Sequence, residues 1–156
     1  MKIYLDTNVY FRPYDDHSQE SIRKEALAFI SIMELGARKE CIFLNSDLLS
    51  LEVKRTDDLL KRREVEWYLE LCSECIELNE KIKRLAKELE KRCSLDGRDA
   101  LHIIYGCYGD AIYFLTCDDE LINKKDQIEK VIGELEYHIK IVNPIDFLRI
   151  LRERRR

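Results

Sequence analysis

The sequence predicts an α/β fold built on a mostly parallel central sheet, and three observations carry that prediction. Short β-type runs alternate with amphipathic helical stretches along the whole chain, the pattern of parallel strands joined by helical crossovers. Two apolar runs, Ile3-Tyr4-Leu5 and Ile112-Tyr113-Phe114-Leu115, each lead to acids, Asp6 after the first and Asp118-Asp119 after the second. In an open parallel sheet the carboxyl ends of the strands line one crevice, so carboxylates far apart in sequence can meet there. No Pro-, Gly- or Ser-rich linker divides the 156 residues, which places them in one domain, 1–156, long enough to bury a sizeable core.

Each element has its own signal. The first strand covers residues 2–5. Ser18 is placed to cap a helix in which Ile22, Ala26, Phe29, Ile30, Met33 and Ala37 recur at three-four spacing and cover one sheet face. Cys41-Ile42-Phe43-Leu44 reads as the second strand, and Asn45-Ser46-Asp47 offers the cap of a helix carrying Leu48, Leu49, Leu51, Glu52 and Val53. A charged helix over 57–73 draws its apolar content from Leu59, Leu60, Val65, Trp67, Tyr68 and Leu71. Cys75-Ile76-Glu77-Leu78 is a short strand, and residues 80–92 form an amphipathic helix with Ile82, Leu85, Ala86 and Leu89 on one face. Ser94 to Gly97 breaks it. The next helix opens near Asp96 to Asp99, runs through Ala100 to Tyr105 and ends at the glycines 106 and 109. The strand 111–115 is the most apolar, followed by helices near 118–123 and 126–135. His138 to Val142 is the last strand, and Asn143-Pro144 opens a terminal helix with proline where its missing donor does no harm.

Composition narrows the class. Hydrophobic residues at 46% with charged residues at 37% describe a globular protein with an ion-rich surface, and no apolar run reaches the roughly 20 residues of a membrane span. Met1 passes directly into the first strand with no room for a signal peptide, so a cytoplasmic protein is expected. The net charge of -4 argues against a protein that coats nucleic acid by charge alone. Basic residues still gather at Lys54-Arg55, Lys61 to Arg63, Lys81 to Arg92 and Arg152 to Arg156, as solvated helix faces or as a locally positive surface. The six cysteines are expected reduced. The lone Cys72-Ser73-Glu74-Cys75 lacks the second pair a structural zinc site wants and reads as packing at a helix-to-strand junction.

Four acids stand where helix and strand ends meet: Asp6, Glu52, Asp99 and Asp118. Taken singly, each reads as a helix cap or a surface charge. Together, carboxylates within a few ångström repel and raise one another's pKa unless a cation neutralises them. Hard divalent ions suit such a cluster, because Mg²⁺ takes one or two carboxylates directly and keeps several waters, and Mn²⁺ accepts a similar oxygen shell. No neighbouring Cys/His set favours zinc.

This combination resembles the PIN-domain family of metal-dependent nucleases, including the VapC-type toxins of prokaryotic toxin–antitoxin pairs. The carrying segments are Ile3-Tyr4-Leu5-Asp6-Thr7-Asn8-Val9, Leu49-Ser50-Leu51-Glu52-Val53, Asp99-Ala100-Leu101-His102-Ile103, Phe114-Leu115-Thr116-Cys117-Asp118 and Ile141 to Leu148. They occur in the family's order and cover nearly the whole chain. The resemblance implies a three-layer α/β/α sandwich whose pocket at the strands' carboxyl ends holds one or two Mg²⁺ or Mn²⁺ ions. Asp6, Glu52, Asp99 and Asp118 match the family's acidic quartet, with Asp6, Asp99 and Asp118 as metal ligands and Glu52 orienting water. Asn8 and Thr116 match polar residues that line or orient the pocket. Asp96 and Asp119 are additional candidates, each as a ligand or a helix cap, with Asp118 preferred to Asp119 by its Thr-x-Asp spacing.

The implied activity is metal-dependent hydrolysis of RNA phosphodiester bonds, extending to the toxin of a toxin–antitoxin pair with an antitoxin partner and a homodimeric assembly. Arg12, Lys54, Arg55 and Arg98 are rim candidates for flanking phosphates, and Trp67, Tyr68 and Leu71 offer either core packing or a docking surface. His102 reads as a packed or hydrogen-bonded core histidine, and Tyr105 and Tyr108 as packing residues. The alternative is a PIN-like module whose acids no longer assemble, serving as an RNA-binding or protein-interaction unit. A receiver-type phosphoryl-transfer protein is disfavoured, because no acceptor Asp follows the third strand and no Lys the last.

Overall fold

Strand β1 (Lys2–Leu5) lies at the centre of a five-stranded sheet in the computed structural model, which describes residues 1–156. It is joined by β2 (Ile42–Ser46), β3 (Glu74–Ile76), β4 (Tyr113–Leu115) and β5 (Lys140–Val142) in the order β3-β2-β1-β4-β5, and every pairing is parallel. Parallel neighbours need long crossovers, which explains the alternation of strand and helix signals along the chain. The helices are α1 (Thr7–Phe11), α2 (Glu20–Ala37), α3 (Asp47–Lys54), α4 (Leu59–Glu70), α5 (Glu80–Cys93), α6 (Gly97–Tyr108), α7 (Asp119–Asn123), α8 (Lys125–Glu134) and α9 (Pro144–Arg154). No helix is long and apolar enough to cross a membrane.

Strand alternation sorts the core into two faces. Tyr4, in register with Leu44 and Phe114, faces the layer of α6, and its ring stacks on Phe114 at 5.6 Å. Ile3, in register with Phe43 and Tyr113, faces α2 and α9, where Tyr113 meets Phe147 edge-on. The result is a three-layer α/β/α sandwich around one continuous hydrophobic core. Full burial of side chains such as Ile3, Leu44 and Phe114 contributes about 1.5–3 kcal/mol each.

Two features position the functional end of the sheet. The chain builds outward from β1 to β2 and β3, then returns to place β4 on the other side of β1, so the strand order reverses between β1 and β4. At such a switch point the loops leaving the two strands diverge and open a crevice. On the α6 side, Gly106 permits close approach: a Cβ there would stand 3.3 Å from Tyr4 Cβ and 3.1 Å from Ile139 Cδ1. Helix α6 therefore lies tight on β1, and the residues one turn earlier reach the end of that strand.

The structure revises several local expectations. Ser18 does not cap α2; its amide and hydroxyl both donate to Asp16, and α2 opens after Gln19 without a side-chain cap. The buried face of α2 is Glu25, Ala26, Ala28, Phe29, Ile32 and Leu35, leaving Ile30 exposed and Ile22 only half-buried. The buried face includes Glu25, to which Arg12 Nε and Asn143 Nδ2 donate at 3.0 and 2.6 Å. Helix α4 buries only Val65 and Leu69 and exposes Leu60 and Trp67, and Leu71 just after it is exposed as well. The six cysteines are free thiols; Cys72 is half-buried with Tyr10 Oη 3.6 Å from its sulfur, and Cys75 is exposed.

Candidate active site

Asp6 follows β1 directly and is only 5% exposed. Its amide donates to Leu115 O of β4, so the ladder continues one step past the strand and holds the side chain at the crevice. Three donors then saturate most of the carboxylate. Thr7 N–H donates to Oδ1 at 2.8 Å, while Thr116 Oγ1 and Asn8 Nδ2 donate to Oδ2 at 2.9 and 3.1 Å. A carboxylate offers about four lone-pair sites, which leaves roughly one, on Oδ1. Burial nevertheless raises the Asp6 pKa, opposed by His102 and by the Thr116 and Thr7 hydrogen bonds.

Thr116 is the hub of this end. Its hydroxyl donates to Asp6 and accepts from the Asp118 amide at 3.1 Å and from Asn8 Nδ2 at 3.2 Å. Asn8 closes the arrangement by accepting the Cys117 amide at Oδ1, 2.9 Å away. Asn8 rides on α1, a five-residue helix with no clear periodic signal in so short a segment.

Asp99 lies in the first turn of α6, half-buried, without a hydrogen bond from the protein. Burial, then the charges of Asp6, Asp118 and Asp96, raises its pKa to about 6. Asp118 caps α7, its Oδ1 accepting from Glu120 N at 2.9 Å, which leaves its second oxygen free. Asp6, Asp99 and Asp118 thus crowd one crevice without an ion pair to any of them. Glu52, on α3, is separate in character. Its carboxylate accepts a hydrogen bond from His102 Nε2 and has Arg98 Nη1 3.9 Å away. Burial is the largest single influence and would raise its pKa, but the His102 hydrogen bond and charge, with Arg98 and the Thr7 hydroxyl, together outweigh it and the net shift is downward.

The remaining candidates divide. Asp96 caps α6 by accepting from Arg98 N at 2.9 Å, which accounts for it locally, although its charge reaches Asp99. Asp119 is exposed and borders a different cleft with Arg12, Glu25, Asn143 and Asp146. Arg12 is not a free rim cation, since it pairs with Glu25 and Asp15, each at 3.0 Å. Arg98 remains exposed at the rim.

No family model matches the sequence, and no curated protein matches it. The similarity is in three dimensions. A chain of VapBC2 from Rickettsia felis, solved bound to a DNA fragment from its promoter, superposes with a TM-score of 0.58 at 13% identity over 92% of this chain and 98% of that one. A chain of FitAB, bound to the IR36 DNA fragment, superposes with a TM-score of 0.56 at 14% identity over 92% of this chain and 95% of that one. The chain has a PIN-domain fold.

On this PIN fold, the donor set fits a hard divalent cation in one specific way. As the side chains stand, no three of them converge to hold one ion. What they offer is oxygen alone: the last lone pair of Asp6, the free oxygen of Asp118 and the unbonded carboxyl of Asp99. That suits an ion held by one or two carboxylates with water completing its shell, rather than an all-protein cage. Mutual repulsion at Asp99 is the load that such an ion would relieve.

Sequence reasoning assigned no site role to Tyr4, Thr7 or Ser46, the last named only as a helix cap, whereas His102 is the packed, hydrogen-bonded core histidine expected of it. His102 is 2% exposed, with Nδ1 2.7 Å from Tyr4 Oη, and Tyr4 Oη is 2.7 Å from Ser46 Oγ. The signal available was the Asp99-x-x-His102 spacing, which puts both side chains on one face of α6. Nothing in sequence pointed to Tyr4 as its partner.

Proposed function

We propose that this protein is a metal-dependent ribonuclease acting at the β1–β4 crevice, and the toxin of a toxin–antitoxin pair. The observation that carries the reading is Asp99, pushed up to about 6 by burial and by the charges of Asp6 and Asp118, with no ion pair to any of the three and only His102 opposing the shift. Clustered carboxylates are costly to maintain, and a fold that keeps them unpaired at a switch point is arranged for a cation. Asp6, Asp99 and Asp118 would hold Mg²⁺ or Mn²⁺, one or two ions. Bound there, the metal supplies a water of lowered pKa and charge neutralisation for the phosphodiester.

The chain's own residues do the rest. Thr116 and Asn8 hold Oδ2 of Asp6, so its remaining lone pair keeps one direction. Glu52, kept ionised by His102, orients the attacking water as a hydrogen-bond acceptor. Arg98, exposed beside Asp99, receives a flanking phosphate of the strand. The VapBC2 and FitAB neighbours support an antitoxin partner, and the exposed Leu60, Trp67 and Leu71 on and after α4 offer apolar surface for one.

A second reading, a PIN-like interaction module without catalysis, is favoured by one observation: no three ligating side chains converge as they stand. The two readings part in a single experiment. Purified protein is incubated with cellular RNA under Mn²⁺, Mg²⁺ or EDTA, beside Asp6→Asn and Asp118→Asn. The nuclease reading expects cleavage that needs metal and is lost in both variants. Cleavage in EDTA, or full activity in both variants, overturns it, and Mn²⁺ binding indifferent to Asp6→Asn supports the module.

A further inference from the structure

The hydrogen bonds around His102 have only one consistent direction. The Leu49 amide can only donate, so Ser46 Oγ accepts from it at 3.1 Å while capping α3. The Ser46 hydroxyl proton is then available to Tyr4 Oη, 2.7 Å away, and no other acceptor faces it. With its oxygen accepting from Ser46, the Tyr4 phenol proton goes to His102 Nδ1, 2.7 Å away. Nδ1 is therefore the bare nitrogen and Nε2 carries the proton, which it donates to Glu52.

Reversing the chain fails at both ends. If Tyr4 donated to Ser46, the Ser46 proton would lose its acceptor at a fully buried site, and Nδ1 would have to be the protonated nitrogen. A neutral ring would then present bare Nε2 to the Glu52 carboxylate, with only the Thr7 hydroxyl, at a long 3.5 Å, placed to donate to it. Ser46 and Tyr4 are both 0% exposed, so water does not supply the missing partners.

We propose that His102 is the positioning residue for Glu52: a one-way chain from the Leu49 amide through Ser46 and Tyr4 locks its ring as the Nε2–H tautomer, and that proton fixes the Glu52 carboxylate at the crevice. This rests on the nuclease reading, in which Glu52 orients water. A histidine kept only for packing needs no second polar contact, whereas both nitrogens here are engaged and one of them ends on a candidate site residue. Glu52 has few other restraints, only the Thr7 hydroxyl and an exposed Arg98 at 3.9 Å. The hydrogen bond occupies Oε1 and leaves Oε2 as the acceptor offered to water. The tight seat of α6 at Gly106 brings the ring within reach of Tyr4, with ring centroids 5.7 Å apart.

Two measurements test this. In protein labelled with ¹⁵N-histidine, long-range ¹H–¹⁵N spectra read the tautomer directly, with the His102 signals assigned by their loss in His102→Gln. The Nε2–H pattern is expected, weakened in Tyr4→Phe, and an Nδ1–H ring or an imidazolium at neutral pH overturns the chain. Cleavage of a fluorescent mixed-sequence single-stranded RNA under saturating Mn²⁺ reads the consequence. His102→Ala should lower kcat by about tenfold to a hundredfold at unchanged KM, the size usual for groups that orient site residues. His102→Gln, whose amide can donate to Glu52 from a similar position, should recover most of it. Thermal unfolding confirms that both variants are folded. A His102→Ala protein cleaving at the wild-type rate, or a folded Gln variant no better than Ala, sinks the proposal while leaving the nuclease reading intact. No cleavage by the wild type sinks the nuclease reading instead, and the spectra still decide whether His102 holds Glu52.

Discussion

Thr116 donates its hydroxyl proton to Oδ2 of Asp6 across 2.9 Å, joining residues 110 apart in sequence at the ends of adjacent strands. The bond follows from register, since Leu5 pairs with Leu115 and the next residue on each strand is the one that turns into the crevice. Thr116→Val keeps the shape and removes the hub. It leaves Asp6 short of a donor and the Asp118 amide without an acceptor, at an expected cost of about 1–3 kcal/mol in denaturant unfolding. Cleavage should fall with it, and Thr116→Ser should restore both. A fully stable, active Val variant would contradict the role given to this hydroxyl.

Asp99 makes the metal-free protein pH-sensitive. Its folded pKa of about 6 lies above the unfolded value of 3.8, so the folded state binds the extra proton between them. Stability conferred at low pH is therefore lost as pH rises through that window and levels off above it. Asp6, raised mainly by burial, acts in the same direction, whereas Glu52, with its lowered pKa, adds stability above its unfolded value of 4.5 that is lost on acidification. Because a ligand carboxyl must be ionised, Mn²⁺ affinity should rise from about pH 5 to about pH 7 and then plateau. Calorimetric titrations across that range check it, and a flat affinity counts against Asp99 as a ligand.

Replacing the crowded carboxyl should separate stability from function. Asp99→Asn removes repulsion with Asp6 and Asp118, and the metal-free protein should gain about 1 kcal/mol at neutral pH once solvent screening at this half-buried position is allowed for. For a chain of this size that is about 2–4 °C in Tm. The same variant should cleave no RNA.

Metal should stabilise the fold through the same residues. At a hundred times its Kd, an ion bound only by the native state contributes about 2.7 kcal/mol, so Mn²⁺ should raise the Tm of the wild type and EDTA should reverse it. Asp6→Asn should show no such shift. An equal shift in both proteins would place the binding elsewhere.

Arg12 belongs to the fold rather than to the substrate. Arg12→Ala leaves Glu25, 5% exposed, without its ionic partner, and breaking such a pair costs about 3 kcal/mol. Glu25→Gln in the same background should recover much of that, and RNA affinity per folded molecule should not change. A selective loss of RNA binding in Arg12→Ala would return Arg12 to the rim.

Much of this molecule was legible in one dimension because the signals are local. The alternation of strand and helix, the cap at Ser46, the break at Ser94 after α5 and the helix start at Asn143-Pro144 all depend on neighbours a few residues away. What failed locally failed for lack of range. The inward face of α2 includes Glu25, whose partner Asn143 lies 118 residues later, and α1 was too short to show a period. Apolar content on α4 did not say which side chains would be buried, because nothing in the helix itself specifies what covers it.

By itself, the sequence determined the class of the fold and the acids that end its strands, since strand periodicity and turn chemistry are read from adjacent residues. It did not determine what those acids touch. The tertiary structure alone decided that Asp6 would spend three of its lone pairs on Thr7, Asn8 and Thr116. It also decided that Asp99 would feel both Asp6 and Asp118, and that Glu52 would lean on a histidine seated against Tyr4. The reason is physical: hydrogen bonds and charge repulsion act over a few ångström, and only parallel register with the close seat of α6 brings those groups within that distance.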